Sequence, residues 1–407
     1  MNSNQMTYKS LKLFSYYAII CTFLKWIAMY RDIRNGVIVA IFIVIFVCIM
    51  IANEKFVIKI SNSVSKVAIC FLIYNIILSF VSYARGYSIS LIFSEAANTL
   101  VPIALYFIAI KLDEKQANRF ESVVMISGII VLVTGLYYNM GLNDPYYLTF
   151  ISENNPNFSL HGFTLYPRLN SFFGSVVCGT WGCVGTCFSF RLLNNGRKIK
   201  FWIFFVSHFL LALLTLQRSA MICVIIIAFV LILRGMKKGY LSKFVPIGLA
   251  LLLAITGIII SIKMPNMYAA IFQRFNSVSS AVSERNSGWQ NAFGNGIIAT
   301  IVGYGFGTGG QRAIGFSQTT VNDGNYFKLI YECGLIGLLI FALIVIKSMK
   351  KVKYYKVDLV YVVALISCLL QMIGSNILTF QFAASLFWYV IGRINRSSNF
   401  DVQDNTI

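Results

Sequence analysis

Residues 325–351 read NYFKLIYECGLIGLLIFALIVIKSMKK. The first 22 carry only two charged side chains, Lys328 and Glu332, before the basic run Lys347, Lys350 and Lys351. A bilayer core is about 30 Å thick and a helix rises about 1.5 Å per residue, so one crossing takes about 20 apolar residues. The stretch therefore reads as a membrane helix with its lysines at the inner end. Outward from it, apolar windows predict further helices at 11–30, 37–52, 67–84, 90–110, 122–141, 171–190, 201–216, 219–234, 244–262, 358–375 and 377–392. The chain of 407 residues is 58% hydrophobic and 12% charged with a mean hydropathy of +0.74, which excludes a soluble domain set. No small-residue cleavage site precedes the first window, so that helix is expected to stay.

The fold expected is an all-α polytopic membrane protein of about 12 transmembrane helices with one large outer loop. Helices 1 to 9 fall in 1–262, with an outer loop at about 142–170. The large loop is 263–324, helices 10 to 12 fill 325–392, and 393–407 forms an inner tail. With both termini inside, 23 of the 34 Lys and Arg lie on the inner side and 10 on the outer, as the positive-inside rule requires. That placement accounts for the net charge of +20 without nucleic acid. Of the ten outer cations eight are Arg: Arg31, Arg34, Arg85, Arg168, Arg218, Arg274, Arg285 and Arg312. A guanidinium fork matches phosphate oxygens bidentately, so this bias suggests an anionic ligand; chance and interfacial snorkelling are the plainer account.

Gln217-Arg218-Ser219-Ala220 leaves no room for a loop between two apolar runs. A central membrane arginine costs about 2.5–3.5 kcal/mol on insertion scales, so Arg218 is either an anion ligand between helices or a snorkelling residue at the boundary. Arg274 and Arg285 are eleven residues apart, three helical turns, on a stretch with helical apolar spacing; a solvated basic helix at the headgroups fits equally. Gly303-Tyr304-Gly305-Phe306-Gly307-Thr308-Gly309-Gly310 suits a tight turn first and a phosphate cradle second, since no Lys-Ser/Thr pair follows. Asp323-Gly324-Asn325-Tyr326 opens the next helix, with Asp323 as helix cap or proton acceptor. Glu95 needs a membrane partner, and an Arg on a neighbouring helix is one possibility. His208, mid-helix, reads as a hydrogen-bonded core residue. Tyr146, Tyr147, Phe150, Phe158 and Tyr166, near the second histidine, His161, form either a sugar-stacking surface or an interfacial belt. The nine cysteines show no ligand spacing, and Cys178, Cys183 and Cys187 read as small packing residues, so neither disulfides nor a metal is expected.

The order Arg218-Ser219-Ala220, Arg285-x-x-x-Trp289, Gly303-Tyr304-Gly305-Phe306-Gly307, Asp323-Gly324-Asn325-Tyr326 and Glu332-Cys333-Gly334-Leu335-Ile336-Gly337 resembles the O-antigen polymerase and ligase family of bacterial envelope glycosyltransferases. The likeness spans about Leu213 to Ile346. It implies an architecture similar to GT-C type glycosyltransferases in the bacterial cytoplasmic (inner) membrane. The implied substrate is an undecaprenyl-diphosphate-linked oligosaccharide, used without cofactor or metal, with membrane lipids and a chain-length regulator as further partners. Ligases of the family typically have His-Asn where this chain has Asp323-Gly324, which favours a polymerase. On the polymerase pattern, Asp323 is matched and Asn325 is displaced by one place. The resemblance and the Arg bias together nominate Arg218, Arg285 and Asp323 as catalytic, and Arg274, Arg312, Arg168, Asn325, Tyr326, Gly303 and Gly305 as substrate-binding. A ligase and a lipid-linked oligosaccharide flippase or transporter are the alternatives.

Overall fold

The computed structural model describes residues 16–31, 62–139, 168–245, 255, 258, 262, 286, 288–293, 296–310, 313, 320–321, 323–354 and 357–396. Among them the regular structure is helical: α1 Tyr17–Arg31, α2 Ser63–Ala84, α3 Ile89–Thr99, α4 Ala104–Lys111, α5 Glu114–Asn139, α6 Ser175–Asn194, α7 Lys198–Leu214, α8 Arg218–Lys237, α9 Ile297–Val302, α10 Asn325–Tyr354, α11 Leu359–Gly374 and α12 Gln381–Ile394. Six described stretches are long and apolar enough to cross a bilayer: Ser63–Ala84, Ile89–Lys111, Glu114–Tyr138, Ser175–Leu193, Arg218–Lys237 and Asn325–Val352. The protein is therefore a helical membrane protein. The expected helix at 37–52 and most of that at 244–262 lie outside the described residues.

Helix limits follow local chemistry more than hydropathy. An Asp113–Gln116 capping box, Gln116 N donating to Asp113 Oδ1 at 2.6 Å and Asp113 N to Gln116 Oε1 at 3.1 Å, starts α5 well before its apolar window. Asn62, Ser88 and Asp358 cap α2, α3 and α11 through their side chains. Pro102 opens the 3₁₀ turn Val101–Ile103 that joins α3 to α4. The run expected at 377–392 begins with a second such turn, Ile377–Thr379, and its helix continues to Ile394.

By internal contacts the chain forms two units: Met1–Leu24, Arg34–Val123 and Glu284–Ile407 in the first, Lys25–Ile33 and Val124–Ser283 in the second. In the first, every residue of α12 is buried, and Gly392 brings it so close to α4 that a Cβ there would meet Ala109 and the Tyr106 backbone. Phe71, Phe341, Phe387 and Trp388 interlock around it. α2 turns Ile73, Ile76, Ile77 and Phe80 outward, the inverted exposure that lipid permits.

In the second unit α6 is the buried helix. Gly179, Gly182 and Gly185 line one face, where added Cβ atoms would strike Gln217 and Ala220, Ala212, and the His208 ring respectively. Small residues let backbones approach where lipid provides no hydrophobic drive. His208 is fully buried, its Nδ1 2.8 Å from the Phe204 carbonyl, so it packs as a core residue. Cys178, Cys183 and Cys187 are buried on α6, with the Cys178 thiol 3.2 Å from the Asn170 carbonyl.

Candidate functional site

α10 is interrupted at Gly334, whose φ of 65° and ψ of −176° are not helical. A break of this kind takes the helical donors away from the carbonyls of the preceding turn. Other donors replace them at two positions: Tyr304 N donates to the Tyr331 carbonyl at 2.7 Å and Gly305 N to the Glu332 carbonyl at 3.0 Å, while the single Tyr74 hydroxyl proton is shared between the Val302 carbonyl and the Cys333 carbonyl, the latter 3.1 Å away. The glycine-rich segment thus runs as a backbone seam along the opened helix. Its closeness dictates residue type: a Cβ on Gly334 would meet the Ile301 carbonyl and Gly303 amide, and one on Gly303 the Glu332 carbonyl.

Beneath the seam lies a buried ion cluster. Lys328 Nζ is 2.5 Å from Glu95 Oε1 and 3.3 Å from Glu332 Oε2, with all three side chains no more than 3% exposed. Glu332 Oε1 accepts the Gly309 amide at 3.0 Å, and Glu95 Oε1 accepts the Thr99 hydroxyl at 2.9 Å. Glu95 therefore has its partner, a lysine rather than an arginine. Charges in so dry a place persist only when paired and hydrogen-bonded. The cluster ties α3, α10 and the segment Gly303–Gly310 together. A cavity no larger than about one water molecule adjoins it, lined in part by Asn75, Thr99, Asn325 and Trp388.

The other motifs reach the same end of α10. Trp289 donates its indole N–H to the Asp323 carbonyl at 2.9 Å and stacks on Phe327 with centroids 4.6 Å apart. Asp323 is half-buried just before the helix. Asn325 Oδ1 accepts from Leu378 N at 2.8 Å and the Tyr326 hydroxyl donates to the Leu369 carbonyl at 2.8 Å, so both side chains hold neighbouring chain segments. Sequence reasoning passed over Arg85 as one of eight outer arginines. It is exposed at the end of α2, its guanidinium 4.2 Å over the Tyr304 ring and donating to the Tyr304 carbonyl.

Arg168 and Arg218 belong to the second unit, both half-buried. Arg218 is the first residue of α8. Leu169 N donates to the Leu214 carbonyl at 3.0 Å, which joins the two segments that carry these arginines. Each segment also holds a non-glycine residue at positive φ, Ser171 at 47° and Leu216 at 51°. Backbone of that kind costs about 1–3 kcal/mol and collects at functional sites. Arg274, Arg285 and Arg312 lie outside the described residues, as do His161, Tyr146, Tyr147, Phe150, Phe158 and Tyr166. Among the described residues no group of three His, Cys, Asp or Glu is placed to hold a metal ion. No family model, curated protein or solved structure matches the chain.

Proposed function

We propose that this protein is a polysaccharide polymerase of the O-antigen type, with the twelve-crossing, GT-C-like architecture that such an enzyme implies. It would transfer a growing glycan from undecaprenyl diphosphate to a lipid-linked repeat unit at the outer face of the bacterial cytoplasmic membrane. One observation carries the reading. Trp289, Gly303–Gly307, Asp323–Tyr326 and Glu332–Gly337, separated in sequence and all part of the resemblance, meet at the Asn325 end of α10.

As the glycosidic bond breaks, the leaving diphosphate gathers negative charge, which positioned guanidinium groups stabilise more in the transition state than in the ground state. Charge-assisted hydrogen bonds are worth about 1.5–3 kcal/mol each, so two or three suffice for several powers of ten in rate. Arg218 leads the candidates, followed by Arg285, Arg274, Arg312 and Arg168. Asp323 is the proton acceptor nominated for the sugar hydroxyl. Arg218→Ala is expected to abolish long-chain polysaccharide at unchanged protein abundance, and Arg218→Lys to restore little, because it keeps charge without the fork. Gel ladders of surface polysaccharide read both, and a normal ladder from Arg218→Ala removes that residue from catalysis.

An interrupted helix beside buried ion pairs also favours a second reading, a transporter of lipid-linked oligosaccharide. Disruption separates the classes. Loss of a polymerase leaves single repeat units on the final acceptor, loss of a flippase leaves none there, and loss of a ligase strands long chains on undecaprenyl diphosphate.

A further inference from the structure

We propose that Arg85 is a phosphate-binding residue of this site, gripping a diphosphate oxygen of the lipid-linked substrate. The identity of that lipid rests on the polymerase reading; the anion site itself rests on the following geometry.

Arg85 directly follows α2 and is exposed. Among the described residues no carboxylate pairs with it. Its contacts are the face of Tyr304, 4.2 Å away, and the Tyr304 carbonyl. A guanidinium has five N–H donors in a rigid plane, so one carbonyl leaves most of the fork unused.

The platform under it is fixed. Tyr304 N is bonded to the Tyr331 carbonyl at 2.7 Å, and its ring lies 5.4 Å from the Tyr331 ring. Five residues on, Gly309 is held by Glu332, itself paired with Lys328. An arginine oriented by a seated ring, with no carboxylate partner among the described residues, is preorganised for an anion, and the planar fork favours phosphate.

The surroundings say what carries the phosphate. Phe80 and Tyr83 on α2 are 70% and 57% exposed, and Ile301 and Val302, just before the glycine segment, are 44% and 41% exposed. These exposed apolar side chains precede Arg85 and Tyr304 in their two segments and suit a hydrocarbon tail. A lipid diphosphate satisfies both surfaces. A bulk phospholipid headgroup offers the same phosphate chemistry, so the test separates the two.

Full-length protein in phosphatidylcholine nanodiscs is titrated with farnesyl diphosphate, with phosphatidylglycerol as the second probe, and binding is followed by native mass spectrometry. Arg85→Ala is expected to weaken the diphosphate roughly tenfold, the scale of one charge-assisted contact, and to leave phosphatidylglycerol unchanged. Arg85→Lys should fall between. Tyr304→Leu, which keeps the charge and removes the platform, should also weaken the diphosphate. Wild-type affinity in Arg85→Ala overturns the proposal, and so does an equal loss for both lipids, which would mark a general headgroup contact. Absence of diphosphate binding by the wild-type protein overturns it as well. The polymerase reading fails separately, if a deletion strain makes normal ladders while the Arg85 binding difference persists.

Discussion

The two ends of α10 bury charge in different ways. At the Tyr354 end, Arg393 donates to the Leu112 carbonyl at 2.7 Å, just beyond α4, and pairs with Glu114, which Arg396 also reaches. Lys351 donates to Asn62 at 3.0 Å and Asn395 to Ser348 at 2.7 Å. These bonds finish helix ends with partners from the neighbouring helices, and cations near helix C-termini also suit the helix dipole. At the Asn325 end, Lys328 and Glu332 lie inside the helix, and the backbone amide that Glu332 accepts comes from a separate segment. Helices alone complete one end. The other end is complete only when residues 303–310 are seated in it, as expected of a place shaped for something beyond stability.

The sharpest way to break this contrast is Lys328→Met. It leaves Glu95 and Glu332 facing each other in a dry interior, and removal of one partner from a buried pair costs about 3–5 kcal/mol. The expected outcome is a large fall in folded protein, measured by thermal unfolding in detergent. The triple variant Lys328→Met, Glu95→Gln, Glu332→Gln should recover most of it, since no charge is then left unpaired. Failure of that recovery would show that Lys328 acts by shape rather than charge.

Gly334→Ala tests the seam itself. The region around φ 65° and ψ −176° is essentially reserved for glycine, and backbone strain there is about 1–3 kcal/mol before any contact is counted. The added Cβ would also press on the Ile301 carbonyl and the Gly303 amide. The same measurement should show a loss smaller than for Lys328→Met, accompanied, on the polymerase reading proposed above, by loss of long polysaccharide chains. Unchanged stability with unchanged ladders would mean that the glycine segment need not lie where it does.

How far these features were legible varies with their physics. The α10 span was plain in 325–346, because about 20 apolar residues have few other uses. Lys328 and Glu332 stand at i and i+4, yet Glu95 is 233 residues away, and no spacing rule joins such a pair. The need of Glu95 for a partner was readable, but which cation met it was not. The break at Gly334 was hidden because glycine is common in membrane helices, and only the chain that fills the gap distinguishes it. Arg85 looked like seven other outer arginines until Tyr304, 219 residues on, came to lie under it. The start of α5 at Glu114 was missed for another reason: a capping box is a polar signal, and the reading followed apolar windows.

The smallest expected effect comes from the opposite end. Glu114→Ala removes the carboxylate shared by Arg393 and Arg396, but the Glu114 side chain is 50% exposed and Arg393 keeps the Leu112 carbonyl and the Tyr361 hydroxyl, 3.3 Å from its Nε. Water screens the lost attraction, so the cost should be about 0.2–1 kcal/mol, within the range of exposed pairs. Thermal unfolding in low and high salt checks this, with a small shift at low salt that shrinks further at high salt. A loss equal to that of Lys328→Met would erase the distinction, since both ends would then depend equally on their charges, and the seated segment would have no special claim on the Asn325 end.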